Sequence, residues 1–525
     1  MSRVLFAHGH LLRFDRKQLA IGKPYPPLAT ITAAAYLRTL GHQVALFDPT
    51  LDEDTSRFAN ALASVQPDIV VLYDDVFNWF TKMCLGKMRQ AALGMIRQAR
   101  AAGARVIVSG HDAADAPSVY LAEGADFVVV GEAEVTLGEL LARIDPAGGD
   151  RRAVPGASGR PARPVVDDIP GLVWKDLGLE RRTGPRALLK DLDALPMAAW
   201  DLVDVARYRA FWLERHGMFS LNVATTRGCP YLCNWCAKPV YGNTYHTRSP
   251  EAVAAEIAFL RRTYWPDHLW FCDDIFGLKT RWLIPFAELV AKGGGELAPG
   301  SPPGSGPAPP LPFLCQTRAD LMNDEHVTAL RRAGCAEAWL GVESGSQAIL
   351  DAMDKGITLE QVRGAVSRLR AAGIRVGFFL QFGYPGEGWP EIEETRRMLR
   401  DLAPDEIGIS VSYPLPGTGF HERVKARLGA KRNWDESADL DPLFPGAFPR
   451  DFYRVLSRTV HAEFRTRRAW RAMRVIARDP AAREGMVLAR ALGGFSELPV
   501  WLVGRAHLGW RRRPGGAWRE GDRRS

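Results

Sequence analysis

The chain is 525 residues long, 46% hydrophobic and 24% charged, with a formal net charge of +8. That length exceeds what one ordinary core holds, so two or three domains are expected. The composition is that of a soluble globular protein, and no apolar run reaches the roughly 18 residues of a transmembrane helix. The N-terminus, Met1 to His10, enters a strand and lacks a signal-peptide pattern. The 7 cysteines, an odd count, fit a reducing compartment, so a cytoplasmic protein is expected.

Residues 1 to 145 alternate short apolar strands, at 4–7, 43–47, 69–73, 106–109 and 127–130, with amphipathic helices near 28–40, 56–65, 87–102, 116–123 and 136–144. This alternation predicts an α/β fold with a doubly wound parallel sheet, whose ligands bind at the carboxyl ends of the strands. Residues 146 to 215 read as a bridge. It opens on the Gly-, Arg- and Pro-rich stretch 146–164 and continues through the packing segments 169–174 and 192–196.

Residues 216 to 425 carry six strand-like segments, at 221–225, 268–272, 313–317, 338–342, 375–379 and 406–411, most of them followed by a helix. Repeated βα units predict a partial (β/α)6 barrel with its site at the C-terminal strand ends. Directly after the first of these strands come Cys229, Cys233 and Cys236, a C-x3-C-x2-C triplet. With 7 cysteines in 525 residues, this spacing arises by chance on the order of one time in a thousand. Three thiolates in one loop can hold three irons of a [4Fe–4S] cluster and leave the fourth open for a substrate or cofactor; electron-transfer clusters usually have four cysteine ligands. A zinc site completed by the nearby His246 is the alternative. The other cysteines, Cys84, Cys272, Cys315 and Cys335, read as buried free thiols. Residues 292–312, rich in Gly, Pro and Ser, predict a flexible insertion on the barrel face away from the site. Thr358 reads as a helix cap, and Tyr413 as a residue of the barrel mouth.

Residues 426 to 525 are expected to be helical, near 452–474 and 481–492, with an apolar stretch at 498–510. That stretch is followed by Arg511, Arg512, Arg513, Arg519, Arg523 and Arg524. It either caps the barrel or makes peripheral contact with an anionic membrane face. The basic charge reads as an exposed tail, not as a nucleic-acid interface.

Residues 225 to 236, with the aromatic Trp235 before the last cysteine, resemble the signature of the radical SAM enzymes. The resemblance implies that Cys229, Cys233 and Cys236 bind a [4Fe–4S] cluster whose open iron takes the amino and carboxylate groups of S-adenosylmethionine (SAM). One electron from an external donor of flavodoxin or ferredoxin type then cleaves SAM to methionine and a 5′-deoxyadenosyl radical. It implies SAM contacts from Trp235, from Asp273 after the second strand, from Glu343 and Ser344 after the fourth, and from Gly383, Pro385, Gly386 and Glu387 after the fifth. Singly, each has an ordinary explanation: Asp273 as a helix cap, Glu343 as the partner of an arginine, Gly-Tyr-Pro-Gly as a turn. Together, at the strand ends of one barrel, they point to a site.

The first 145 residues are similar to the cobalamin-binding domain that precedes the barrel in many radical SAM enzymes. Tyr25-Pro26-Pro27-Leu28, Gly41-His42-Gln43-Val44, Ser109-Gly110-His111-Asp112 and Gly131-Glu132-Ala133-Glu134 carry the likeness. It implies cobalamin contacts from Pro26, Pro27, Ser109, Gly110, Gly131 and Glu132. The Asp-x-His-x-x-Gly motif whose histidine ligates cobalt in some cobalamin proteins is absent. His8, His10, His42 and His111 read as ordinary loop or surface histidines. The expected function is cobalamin-dependent methyl transfer to an unactivated carbon of a small-molecule or lipid metabolite. Radical rearrangement, cyclisation or oxidation without methyl transfer is the first alternative, and a non-catalytic cobalamin or redox sensor the second.

Overall fold

The computed structural model describes residues 1–77, 85–144, 165–238, 240–292, 309–428, 443–478 and 493–510. Five parallel strands open the chain: β1 (Arg3–Ala7), β2 (Gln43–Phe47), β3 (Ile69–Tyr73), β4 (Arg105–Ser109) and β5 (Phe127–Val129), in the order β2-β1-β3-β4-β5. The central β3, Ile-Val-Val-Leu-Tyr, is buried at every position, as a strand covered on both faces must be. Val4, Phe6, Val71 and Tyr73 face the helices Leu28–Thr39 and Ala133–Ile144. Leu5, Ala7, Val70 and Leu72 face the helices Phe58–Val65, Leu85–Ala101 and Pro117–Glu123.

The bridge adds to this sheet. β6 (Leu172–Asp176) pairs antiparallel with β5, and β7 (Leu179–Arg182) pairs with β6. Leu177 and Gly178 both have positive φ, 49° and 83°, as a two-residue hairpin turn requires. Burial of Leu172, Val173 and Trp174 covers an edge that β5 would otherwise leave unpaired. The helix Val205–His216 then returns to the first domain, where the Trp212 indole donates to the Pro24 carbonyl at 2.7 Å.

The second sheet is parallel throughout: β8 (Ser220–Val223), β11 (His268–Phe271), β12 (Phe313–Thr317), β13 (Cys335–Glu343), β14 (Arg375–Phe382) and β15 (Glu406–Val411), in chain order. A short ribbon, β9 (Thr226–Arg227) and β10 (His246–Thr247), follows β8. Outer helices separate most of the strands, among them Pro250–Tyr264, Thr280–Lys292, Asp324–Ala333, Leu359–Ala371 and Trp389–Leu402. Thr358 does cap one of them, in a reciprocal box with Gln361. This is the expected six-stranded partial barrel. The helix Arg450–Arg478 packs on the barrel through a buried Arg396–Glu463 pair at 2.6 Å. The helix Leu498–Trp510 lies beside it, with Arg467 over the Trp501 ring.

The helix expected near 481–492, the stretch 146–164, most of the insertion 292–312, Cys84 and the arginines from Arg511 onward lie outside the described residues. Among the described residues no helix is long and apolar enough to cross a membrane.

Candidate functional site

After β8 the chain turns through Ala224 and Thr225 into β9 and reaches Cys229. Asp273, just beyond β11, holds this turn. Its Oδ1 accepts from the Thr225 and Thr226 amides at 2.7 Å each and from the Thr226 hydroxyl at 2.9 Å; its Oδ2 accepts from the Thr225 hydroxyl at 2.8 Å. Burial pushes its pKa up to about 6, against those four donors, which favour the anion. Asp273, expected at SAM, therefore has its carboxylate engaged by the cysteine loop itself. Gly228, at φ 81°, precedes the first cysteine, and a Cβ there would stand 2.4 Å from the Thr244 carbonyl oxygen. Only glycine fits.

Within the loop, Asn234 is clamped by three strand-end segments. Its amide donates to the Met353 carbonyl at 3.0 Å and its carbonyl accepts from Phe420 at 2.8 Å. Its side chain donates to the Ala352 carbonyl at 2.9 Å and accepts from the Tyr384 hydroxyl at 2.6 Å. Trp235 packs against the cluster of Ile349, Met353, Tyr384 and Phe420. The three thiols are thereby held, partly exposed, at the C-terminal mouth of the barrel. Two cations flank them: Arg318, with Nη1 4.0 Å from the Cys233 sulfur, and Lys355, 5.8 Å from the Trp235 ring centroid. Cations at this loop suit an anionic iron–sulfur centre. Among the described residues no group of three His, Cys, Asp or Glu is already gathered in metal-ligating geometry, His246 included. The donor chemistry and the position of the loop fit a [4Fe–4S] cluster. Of the other cysteines, Cys272, Cys315 and Cys335 are buried free thiols, as expected.

Glu343 ends β13 where the register to β14 shifts, and it adopts φ 64°, a costly conformation for a residue other than glycine. Its partner is Lys355 at 2.8 Å, a lysine where an arginine was considered. Ser344 Oγ lies 3.3 Å from the Thr395 hydroxyl. After β14 come Gly383, Pro385, Gly386 and Glu387. Glu387 Oε2 accepts from the Gly383 amide at 2.5 Å. Its Oε1, like the Tyr453 hydroxyl, has no hydrogen-bond partner among the described residues. Burial pushes the Glu387 carboxyl up to about 8, opposed by the Gly383 amide. The folded protein therefore keeps this proton in a range where the unfolded chain, at an ordinary 4.5, has lost it. Stability from this group is full below that ordinary value and is lost as pH rises towards 8, on the order of a few kcal/mol in total. Glu387→Gln should melt near the wild type at about pH 5 and above it at about pH 8.5; equal melting at the higher pH refutes the assignment. Tyr413 packs with Leu415, Leu428 and Leu443.

The first sheet brings its own strand ends to this place. The Pro26 carbonyl accepts from Asn222 of β8 at 3.0 Å. Pro27 precedes the helix Leu28–Thr39, whose Leu28 and Ala29 amides donate to Asp75, after β3, at 3.1 Å each. Ser109 ends β4, and Gly110, at φ 144°, lies so close to Asp74 that a Cβ would stand 2.8 Å from the Asp74 Cβ. Gly131 follows β5 with open space around it. Glu132 accepts from Arg227 at 3.0 Å and from the Leu189 amide at 2.5 Å, and Glu134 takes the same Arg227 in two bonds, at 2.5 and 3.2 Å. All three charged side chains are buried. Arg227 also lies 5.2 Å over the Tyr241 ring, which stacks on Phe77. Glu132, expected at cobalamin, thus ties the end of β5 to the residue two before Cys229.

His8 and His10 lie in the loop after β1, as expected, but inside the fold. His8 and His10 are 2% and 4% exposed, and neither is a surface residue. His8 Nε2 pairs with Asp48 at 3.0 Å, which also accepts from the Tyr208 hydroxyl at 2.7 Å. Burial raises the Asp48 carboxyl, but His8 and Tyr208 outweigh it and hold the pKa at about 2. Arg227, Asn234, Arg318 and Lys355 carried no sequence-based expectation. Arg227 and Asn234 had a signal, their places beside and within the cysteine triplet.

A family model described as the Radical SAM superfamily matches residues 223–399, and one described as the B12 binding domain matches residues 19–141. An uncharacterized methyltransferase of Pyrococcus horikoshii is 25% identical over 482 residues, covering 90% of this chain and 94% of that protein. An anaerobic magnesium-protoporphyrin IX monomethyl ester cyclase of Rubrivivax gelatinosus is 24% identical, covering 80% and 70%. The radical SAM methyltransferase TsrM of Kitasatospora setae, solved with cobalamin and a [4Fe–4S] cluster, shares the fold with a TM-score of 0.63 at 19% identity, over 82% of this chain and 76% of that one. The two family models fall on the two sheets, and the cysteine loop follows the first strand of the second; the chain carries a B12-binding domain followed by a radical SAM domain.

Proposed function

We propose that this protein is a cobalamin-dependent radical SAM methyltransferase acting on an unactivated carbon of a small molecule. The observation that carries the reading is the Glu132–Arg227–Glu134 triad, which sets the ligand edge of the first sheet against the cysteine loop of the second. Two cofactors that must exchange a group need that proximity. When bound, the cluster with SAM supplies a carbon radical and cobalamin supplies a methyl group.

In this reading Cys229, Cys233 and Cys236 ligate the cluster and Asn234 holds their loop. Trp235, Glu343, Ser344, Gly383, Pro385, Gly386 and Glu387 line the SAM position, with Asp273 bracing the loop beneath. Pro26, Pro27, Ser109, Gly110 and Gly131 face cobalamin, and Glu132 anchors their edge. Residues 1–145 form the cobalamin domain, 146–215 the bridge, 216–425 the catalytic barrel and 426–525 its helical cover. An external one-electron donor is required. A small-molecule substrate is supported by TsrM, which has been solved with tryptophan as substrate. A cyclase among the relatives favours, as second reading, radical chemistry without methyl transfer. SAM with a deuterated methyl group separates the two. Label in the product supports methylation; turnover to an unlabelled product replaces it with the second reading.

A further inference from the structure

We propose that Arg318 poises the reduction potential of the cluster by holding a fixed positive charge against the Cys233 sulfur; the inference rests on the cluster reading above. Arg318 is the first residue after β12, so the barrel itself delivers it to the mouth. Its Nη1 lies 4.0 Å from Cys233 Sγ, and its guanidinium sits 3.6 Å from the centroid of the Tyr231 ring, inside the cysteine loop. Nη2 donates to the carbonyls of Lys355 at 2.9 Å and Gly356 at 3.4 Å. Nε and Nη2 donate to Asp320 at 2.9 and 3.2 Å. A planar fork held on three sides has little freedom to turn from the sulfur.

Asp320 offsets part of this charge. Arg318 is 7% exposed, whereas its carboxylate partner Asp320 is 18% exposed. Water screens the more exposed negative partner more strongly than the buried cation. The second cation, Lys355, is buried and paired with Glu343, and it stands on the Trp235 side of the same loop. Reduction of the cluster adds one electron, taken from an external one-electron reductant, and makes the centre more negative. A fixed cation at a ligating sulfur stabilises that reduced form and raises the potential. Arg318 acts through Cys233, so it is a positioning residue.

The test is an EPR-monitored redox titration of the full-length reconstituted protein with dithionite, together with iron counts. Arg318→Gln should hold as much iron as the wild type and titrate at a more negative midpoint. Arg318→Lys should recover most of that shift, because it restores the charge without the fork. Asp320→Asn should move the midpoint the other way. A wild-type midpoint in an iron-replete Arg318→Gln protein overturns the proposal, as does an Arg318→Lys shift as large as that of Arg318→Gln. If Arg318→Gln does not fold, Asp320→Asn decides: a less negative midpoint supports the proposal and an unchanged one overturns it. A wild-type protein that assembles no iron centre overturns the cluster reading, and this inference with it.

Discussion

Replacing any one of Cys229, Cys233 and Cys236 with alanine should abolish SAM cleavage, with 5′-deoxyadenosine falling to background. Iron should fall well below the about four atoms per chain of a full cluster. The effect is large because three thiolates hold three irons, so losing one leaves an iron without its ligand. Serine should fare little better than alanine at these positions, since iron–sulfur centres select soft thiolate ligands. Asn234→Ala provides the contrast. It keeps all three thiols and removes the side-chain bonds to Ala352 and Tyr384, so iron should bind and be lost faster on dilution. Turnover retained by any of the three single-cysteine variants would refute the assignment.

Arg227→Met should be strongly destabilising. It leaves Glu132 and Glu134 buried with no cation, and breaking a buried ion network from one side costs about 3–5 kcal/mol. The loss falls between the domains, so thermal unfolding should split or broaden as well as shift downward. Replacing all three members together, as Arg227→Met with Glu132→Gln and Glu134→Gln, removes the stranded charges and should recover most of the stability. Iron content separates two roles. If the triad also sets the start of the cysteine loop, the triple variant will fold yet reconstitute poorly. An Arg227→Met protein that melts as the wild type does would show that the triad does not hold the domains.

Much of the fold was legible because its signals are local. β3 and β15 begin and end where their apolar runs do, and the helix Leu28–Thr39 ends one residue short of its expected limit. β13 and β14 run longer than their apolar patterns, where ladder bonds to β12 at the start of β13 and to β15 at the end of β14 extend the strands into residues that pattern alone leaves out. β6 falls on a segment expected only to pack, because Leu172, Val173 and Trp174 are too few to announce a strand, and β7 carried no expectation. The unpaired edge of β5 recruits them, and that edge exists only in the folded sheet.

The site divides along the same line. Three cysteines spaced four and three residues apart must share a loop wherever the chain goes, so the sequence alone placed the three thiols together and chose the barrel face that carries them. It also determined the two βα domains, whose apolar periodicities are written within each segment. The partners of the charged groups were decided only by tertiary structure. Asp273 turned to the loop beneath the cysteines, Glu343 to a lysine, and Glu132 to an arginine 95 residues away. An ionisable side chain is neutralised or paired according to what burial places around it, and that surrounding is assembled from strand ends far apart in the chain.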